Sequence, residues 1–149
     1  MPVDASYAGR VYPAGPVYEV GREKLAEFAE AVGADHPAYT DPAAARALGH
    51  PDVLAPPTFA VVIAQRAEAQ YVRDPAAGVD FSRVVHADER FTHHRPIHAG
   101  DRLVTTLHVD SITERAGLAM VTTRAEIASE DGQAVATVVS TLAVRPEEG

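Results

Sequence analysis

Thr58-Phe59-Ala60-Val61-Val62-Ile63-Ala64-Gln65-Arg66-Ala67-Glu68-Ala69-Gln70-Tyr71-Val72-Arg73 is the most apolar helical segment of the chain. Phe59, Val62, Ile63 and Ala67 recur at helical spacing, and Val61 and Ala64 widen the stripe. A helix this apolar is expected to lie inside the molecule. The segments after it have a different character. Arg83 to His86, the stretch around Arg90 to His93, Arg102 to Ile112, Leu118 to Ser129 and Ala134 to Val144 are rich in Thr and Val, which suit a pleated, half-buried surface. Leu103, Thr105, Leu107 and Val109 alternate with Val104, Thr106 and His108, and Asp131-Gly132 sits where a tight hairpin turn needs positive φ. Together they predict an α+β fold in which a long antiparallel β-sheet is wrapped around a central α-helix.

Working back toward the N-terminus, Leu25, Phe28, Ala29 and Val32 share one face of a helix over Arg22 to Val32, with Glu23, Glu27 and Glu30 on the other and Gly33 as its stop. Asp41-Pro42 opens a second, short helix, because Asp41 can cap it and the missing N–H of Pro42 costs nothing at the first helical position. Val17 to Val20 reads as a short strand. The first fifteen residues, broken by Gly9, Pro13 and Gly15, read as an irregular lead-in.

The 149 residues have room for one domain, expected to span 1–149. A formal net charge of −8, with Lys24 as the only lysine, opposes a phosphate backbone, so nucleic acid is not an expected partner. No apolar run reaches the roughly 20 residues of a membrane helix, and no membrane partner is expected. The absence of cysteine removes disulfides, thiolate metal sites and a Cys nucleophile, and Met1-Pro2-Val3-Asp4 begins no signal peptide; a cytoplasmic location is expected.

Two further stretches carry chemistry: Gly33-Ala34-Asp35-His36-Pro37-Ala38-Tyr39-Thr40-Asp41, and Leu54-Ala55-Pro56-Pro57-Thr58-Phe59. With Phe91-Thr92-His93-His94-Arg95-Pro96-Ile97 and the following Gly100-Asp101, they resemble the MaoC-like hydratase/dehydratase branch of the hot-dog fold over nearly the whole chain. The resemblance is strongest to the N-terminal MaoC-like type, as in the non-catalytic subunit of actinobacterial (3R)-hydroxyacyl-thioester dehydratase heterodimers. Active members read Asp-x-Asn-Pro-x-His in the first loop, where the His is the base at the α-carbon and the Asp works on the hydroxyl or water. Matching Pro37 to the family proline puts Ala34 at the Asp position, His36 at the Asn position and Tyr39 at the His position. Ala34 does no acid–base chemistry, and an ordinary Tyr, with pKa about 10, is a poor base at neutral pH. The family's second motif, His-Gly-Met, offers a Gly amide to the thioester oxygen at a helix N-terminus. Here it is matched by Pro56-Pro57-Thr58, and Pro57 has no N–H to offer.

The resemblance therefore implies a subunit without its own catalytic Asp and His, paired with a MaoC-like catalytic subunit in a heterodimer that acts on acyl-ACP or acyl-CoA in fatty acid or related acyl-chain synthesis. This chain would supply the acyl channel, with Tyr39, Thr58, Phe59, Val62 and Ile63 as substrate-binding residues. No cofactor and no metal are expected. Two alternatives stay open: a homodimer that binds acyl thioesters without chemistry, and an autonomous hydratase or thioesterase using Asp35 and His36. His93, His94 and His98 are not expected to form a metal cluster, because Pro96 lies between them and strand geometry sends His93 and His94 to opposite faces; they read as surface or partner-facing residues. Gly100-Asp101 reads as a turn whose carboxylate bonds local backbone N–H groups.

Overall fold

The computed structural model describes residues 3–146. Its elements run β1 (Val11–Tyr12), β2 (Tyr18–Glu19), α1 (Arg22–Val32), α2 (Pro42–Ala47), α3 (Ala60–Val72), β3 (Val84–His93), β4 (Arg102–Arg115), β5 (Leu118–Ser129) and β6 (Ala134–Val144). Single 3-10 turns precede or join them at Ala5–Tyr7, Pro37–Tyr39, Pro57–Phe59 and Phe81–Arg83. The local stop and start signals act as their chemistry dictates. Gly33 ends α1 at φ 72, Asp41 accepts a hydrogen bond from the Ala43 amide to cap α2, and Gly132 turns the β5–β6 hairpin at φ 94.

The strands form one antiparallel sheet in the order β1-β4-β5-β6-β3, with β2 also on the outer edge of β4. The helix α3 lies against β4, β5 and β6. Ala60, Ala64 and Ala67 are buried along it, and such small side chains let the helix backbone come close to the strands. Every second residue of β5 from Ala119 to Ile127 is buried, which gives the sheet one face toward the helix and one away from it. Leu25, Phe59, Tyr71, Leu103, Leu107 and Leu142 fill the space between. This is the α+β hot-dog arrangement expected from the long apolar helix and the strands behind it. No helix among the described residues is long and apolar enough to cross a membrane.

Two features differ from the expectations. Val11-Tyr12, within the stretch read as irregular, forms β1 by pairing with His108 and Leu107 of β4. A two-residue strand carries no periodicity of its own, so only the partner makes it one. The segments around Arg83–His86 and Arg90–His93 are one continuous strand, β3, whose register against β6 shifts between His86 and Asp88. That bulge at Ala87 breaks the alternation that would have marked a single strand in the sequence. The edge of β4 is thus covered in part by β1 and β2, at Arg102, Leu103, Leu107 and His108, whereas among the described residues β3 pairs only with β6.

Candidate functional site

The two loops singled out in the sequence come together beside the start of α3. The Leu54 amide donates to the Ala38 carbonyl at 2.9 Å, and the Ala55 amide donates to the Ile97 carbonyl at 2.8 Å. A turn at residues 95–101 anchors them. Asp101, 7 % exposed, is gripped by both terminal nitrogens of Arg95 at 2.9 and 3.0 Å and accepts from the His98 amide at 3.0 Å. The turn role expected for Asp101 is therefore present, and Arg95 is its ion-pair partner. With that turn fixed, the Ala99 amide reaches the Val53 carbonyl, and the chain enters Pro56-Pro57 in a set direction.

Asp35 and His36 are both exposed. His36 spends Nδ1 on the backbone, accepting from the Ala38 amide at 3.0 Å as cap of the Pro37–Tyr39 turn. Its ring meets the half-buried Tyr39 edge-on at 6.2 Å. Pro57 opens the 3-10 turn that leads into α3, and its carbonyl accepts from His93 Nε2 at 2.8 Å. Thr58 is exposed in the same turn. Phe59 is fully buried between Phe28 and Tyr18, at 5.3 and 6.4 Å between ring centres. His94 Nε2 lies 3.4 Å from the Thr137 hydroxyl, and His98 turns Nδ1 to the Ala99 carbonyl, so the three histidines of this region serve three different partners.

Val62 and Ile63 line a groove of about 800 Å³ along α3, together with Tyr18, Arg66, Glu68 and His86. Arg66 stacks over the Tyr18 ring at 4.8 Å, and burial pushes the Tyr18 phenol up from its ordinary value. The groove has the size of a small-molecule or acyl site, and its walls are mainly apolar. The sequence reading passed over Glu68 and His86, which line it, and Glu89, which lies beside His86. Glu68 is 5 % exposed and accepts from the Thr123 hydroxyl at 3.0 Å, with His86 Nε2 at 3.4 Å. Glu89 accepts from the Ser140 hydroxyl at 2.8 Å, its other oxygen is buried without a partner, and burial pushes its carboxyl up. One signal was available: Glu68 stands four residues after Ala64, on the stripe that faces the sheet.

Comparison with known proteins adds a family to this geometry. Residues 6–138 match the family described as FAS1-like, dehydratase domain region. An UPF0336 protein of Saccharopolyspora erythraea is 55% identical over 145 residues, which cover 97% of this chain and 93% of that one. Among solved structures, the C-terminally truncated HadBC (3R-hydroxyacyl-ACP dehydratase) complex of Mycobacterium tuberculosis contains a chain 34% identical, with a TM-score of 0.85 and coverage of 96% of this chain and 99% of that one. A MaoC-like dehydratase is 33% identical with a TM-score of 0.85, and there the match covers 95% of this chain and 43% of the longer one.

Proposed function

The chain belongs to the FAS1-like dehydratase region family of MaoC-like hot-dog proteins, and from that premise we propose that it is the acyl-binding, non-catalytic subunit of a heteromeric (3R)-hydroxyacyl-thioester dehydratase. The observation that carries this reading is the turn at the head of α3. Dehydration removes a proton beside a thioester, so it needs a base within reach and a donor for the enolate oxygen. At the donor position Pro57 has no N–H, and its carbonyl is bonded by His93. The first loop supports the same conclusion: Ala34 and Tyr39 stand where the family's acid and base stand, and the neighbouring His36 has Nδ1 committed to the Ala38 amide.

In this reading the partner is a MaoC-like chain that brings the Asp, the His and the oxyanion donor. It adds its sheet along β3, which among the described residues pairs only with β6. The groove beside Val62 and Ile63 then forms one wall of the channel for the acyl chain, while Tyr39, Thr58 and the fully buried Phe59 are not among the residues that line it. The substrate is carried by acyl carrier protein or coenzyme A. The similarity to a chain of a 3R-hydroxyacyl-ACP dehydratase complex supports this reading.

The test is hydration of crotonyl-CoA and longer trans-2-enoyl-CoA thioesters, followed by loss of the enoyl-thioester absorbance. The expected result is activity only when the chain is mixed with the MaoC-like protein encoded nearest to it. Turnover by the chain alone, abolished by Asp35→Asn or His36→Ala, would establish a site rebuilt one residue along. Tight acyl binding by a stable homodimer that remains silent with every MaoC-like partner would make it a binding module.

A further inference from the structure

The groove along α3 contains a polar group that its acyl-lining role leaves unused. Glu68 is a carboxylate on the buried side of an apolar helix, and burying that charge is costly unless its oxygens are bonded. The bonds come from two directions, Thr123 on β5 and His86 on β3. The bulge at Ala87 lets His86 and Glu89 face the helix together. In an unbroken strand His86 and Glu89 would face opposite sides, but the extra residue puts both toward the helix, with His86 Nε2 at 3.4 Å from Glu68 and 3.9 Å from Glu89. Glu89 is in turn held by Ser140, itself 2 % exposed and directly across from Thr123 in the β5–β6 register.

This assembly orients one ring. In the tautomer that carries its proton on Nε2, facing Glu68, the His86 ring has Nδ1 as an acceptor on its other side, and the side chain is 35% exposed where it lines the groove. A carboxylate-backed imidazole is a strong, directed acceptor, because the buried carboxylate raises the electron density and fixes the tautomer. A purely apolar ligand would leave Nδ1 unpaired once water is expelled, and that loss disfavours it. We propose that His86, held by Glu68, Glu89, Thr123 and Ser140, is a recognition site for a hydrogen-bond donor on a ligand lying in this groove, either a hydroxyl on the acyl chain or an amide N–H of the pantetheine arm.

The assignment deepens the dehydratase-subunit reading and rests on it for the acyl nature of the ligand. Its test is a binding measurement without turnover, so either can fail while the other stands. Isothermal titration of the chain with dodecanoate, 12-hydroxydodecanoate and pantetheine is compared for the wild type, His86→Phe and His86→Gln. The expected result is a loss of about tenfold in affinity for one donor-bearing probe in His86→Phe, partial recovery in His86→Gln, and dodecanoate affinity unchanged within about twofold. Loss with 12-hydroxydodecanoate assigns the donor to the acyl chain, and loss with pantetheine assigns it to the carrier arm. Equal binding of both donor probes by wild type and His86→Phe, a parallel loss of dodecanoate, or no binding of either donor probe to the wild type overturns the proposal. Thermal unfolding of the variants confirms that each is folded when titrated.

Discussion

Individual residues set both strain and pH response in this protein. Ala116 adopts φ 53 beside Gly117 at φ 81, so the β4–β5 turn has two consecutive left-handed residues, of which only the second is glycine. For an L-residue with a Cβ this conformation costs about 1–2 kcal/mol, and Asn tolerates it better than Ala. Ala116→Asn is expected to raise stability by about 0.5–1 kcal/mol in denaturant unfolding, and an unchanged midpoint would refute it. Asp52 responds to pH. Its hydrogen bonds from Arg22, at 2.9 Å each, together with the Val53 amide, hold its carboxyl down at about 2. A depressed folded value contributes stability that is complete above the ordinary carboxyl range near 4 and disappears as pH falls toward 2. Asp52→Asn should therefore flatten the fall in melting temperature between about pH 4 and 2 relative to wild type, read by circular dichroism; parallel curves would count against the pairing. Such effects differ in how far the sequence reveals them. Gly33, Asp41-Pro42 and Asp131-Gly132 act on their own backbone, so their roles were legible directly. Asp52 finds Arg22 thirty residues away, and Pro57 meets His93 across thirty-six, pairings that local pattern does not encode.

At the scale of elements, α3 and β3 determine the site. The broad apolar stripe of α3 identified it as the buried helix, but the same stripe concealed Glu68, since one carboxylate among alanines barely alters a periodic pattern. Close approach of helix and sheet relies on small side chains. Ala64, 3 % exposed, has no space for a longer one, and Ala64→Leu should destabilise the chain by about 1–3 kcal/mol, measured by denaturant unfolding. For β3 the unreadable element was its bulge. Deleting Ala87 would restore regular alternation and turn either His86 or Glu89 away from α3. The expected outcome is a chain that keeps its far-ultraviolet spectrum but loses the donor preference of the groove. Retention of that preference would show that the bulge is not what aims His86.

The whole molecule has a formal charge of −8, and among the described residues the long strand β3 pairs on one side only. Net repulsion opposes non-specific clustering, while a row of unpaired backbone groups favours one specific neighbour. Sedimentation analysis is expected to give a two-chain species, with itself or with a MaoC-like partner, and a monodisperse monomer would refute this. The meander and its central helix were legible because burial imposes their periods. Which edge is finished was not, since the covering strands β1 and β2 are two residues each. Their placement has a further consequence. A sheet open on both sides can add neighbours indefinitely, as a polymer of bifunctional units does; here β1 and β2 occupy part of one side, at Arg102, Leu103, Leu107 and His108 of β4, so the two sides of the sheet are not equivalent. Two short segments near the N-terminus thus act as a partial stopper, and removing them should shift the sedimentation profile toward species larger than two chains.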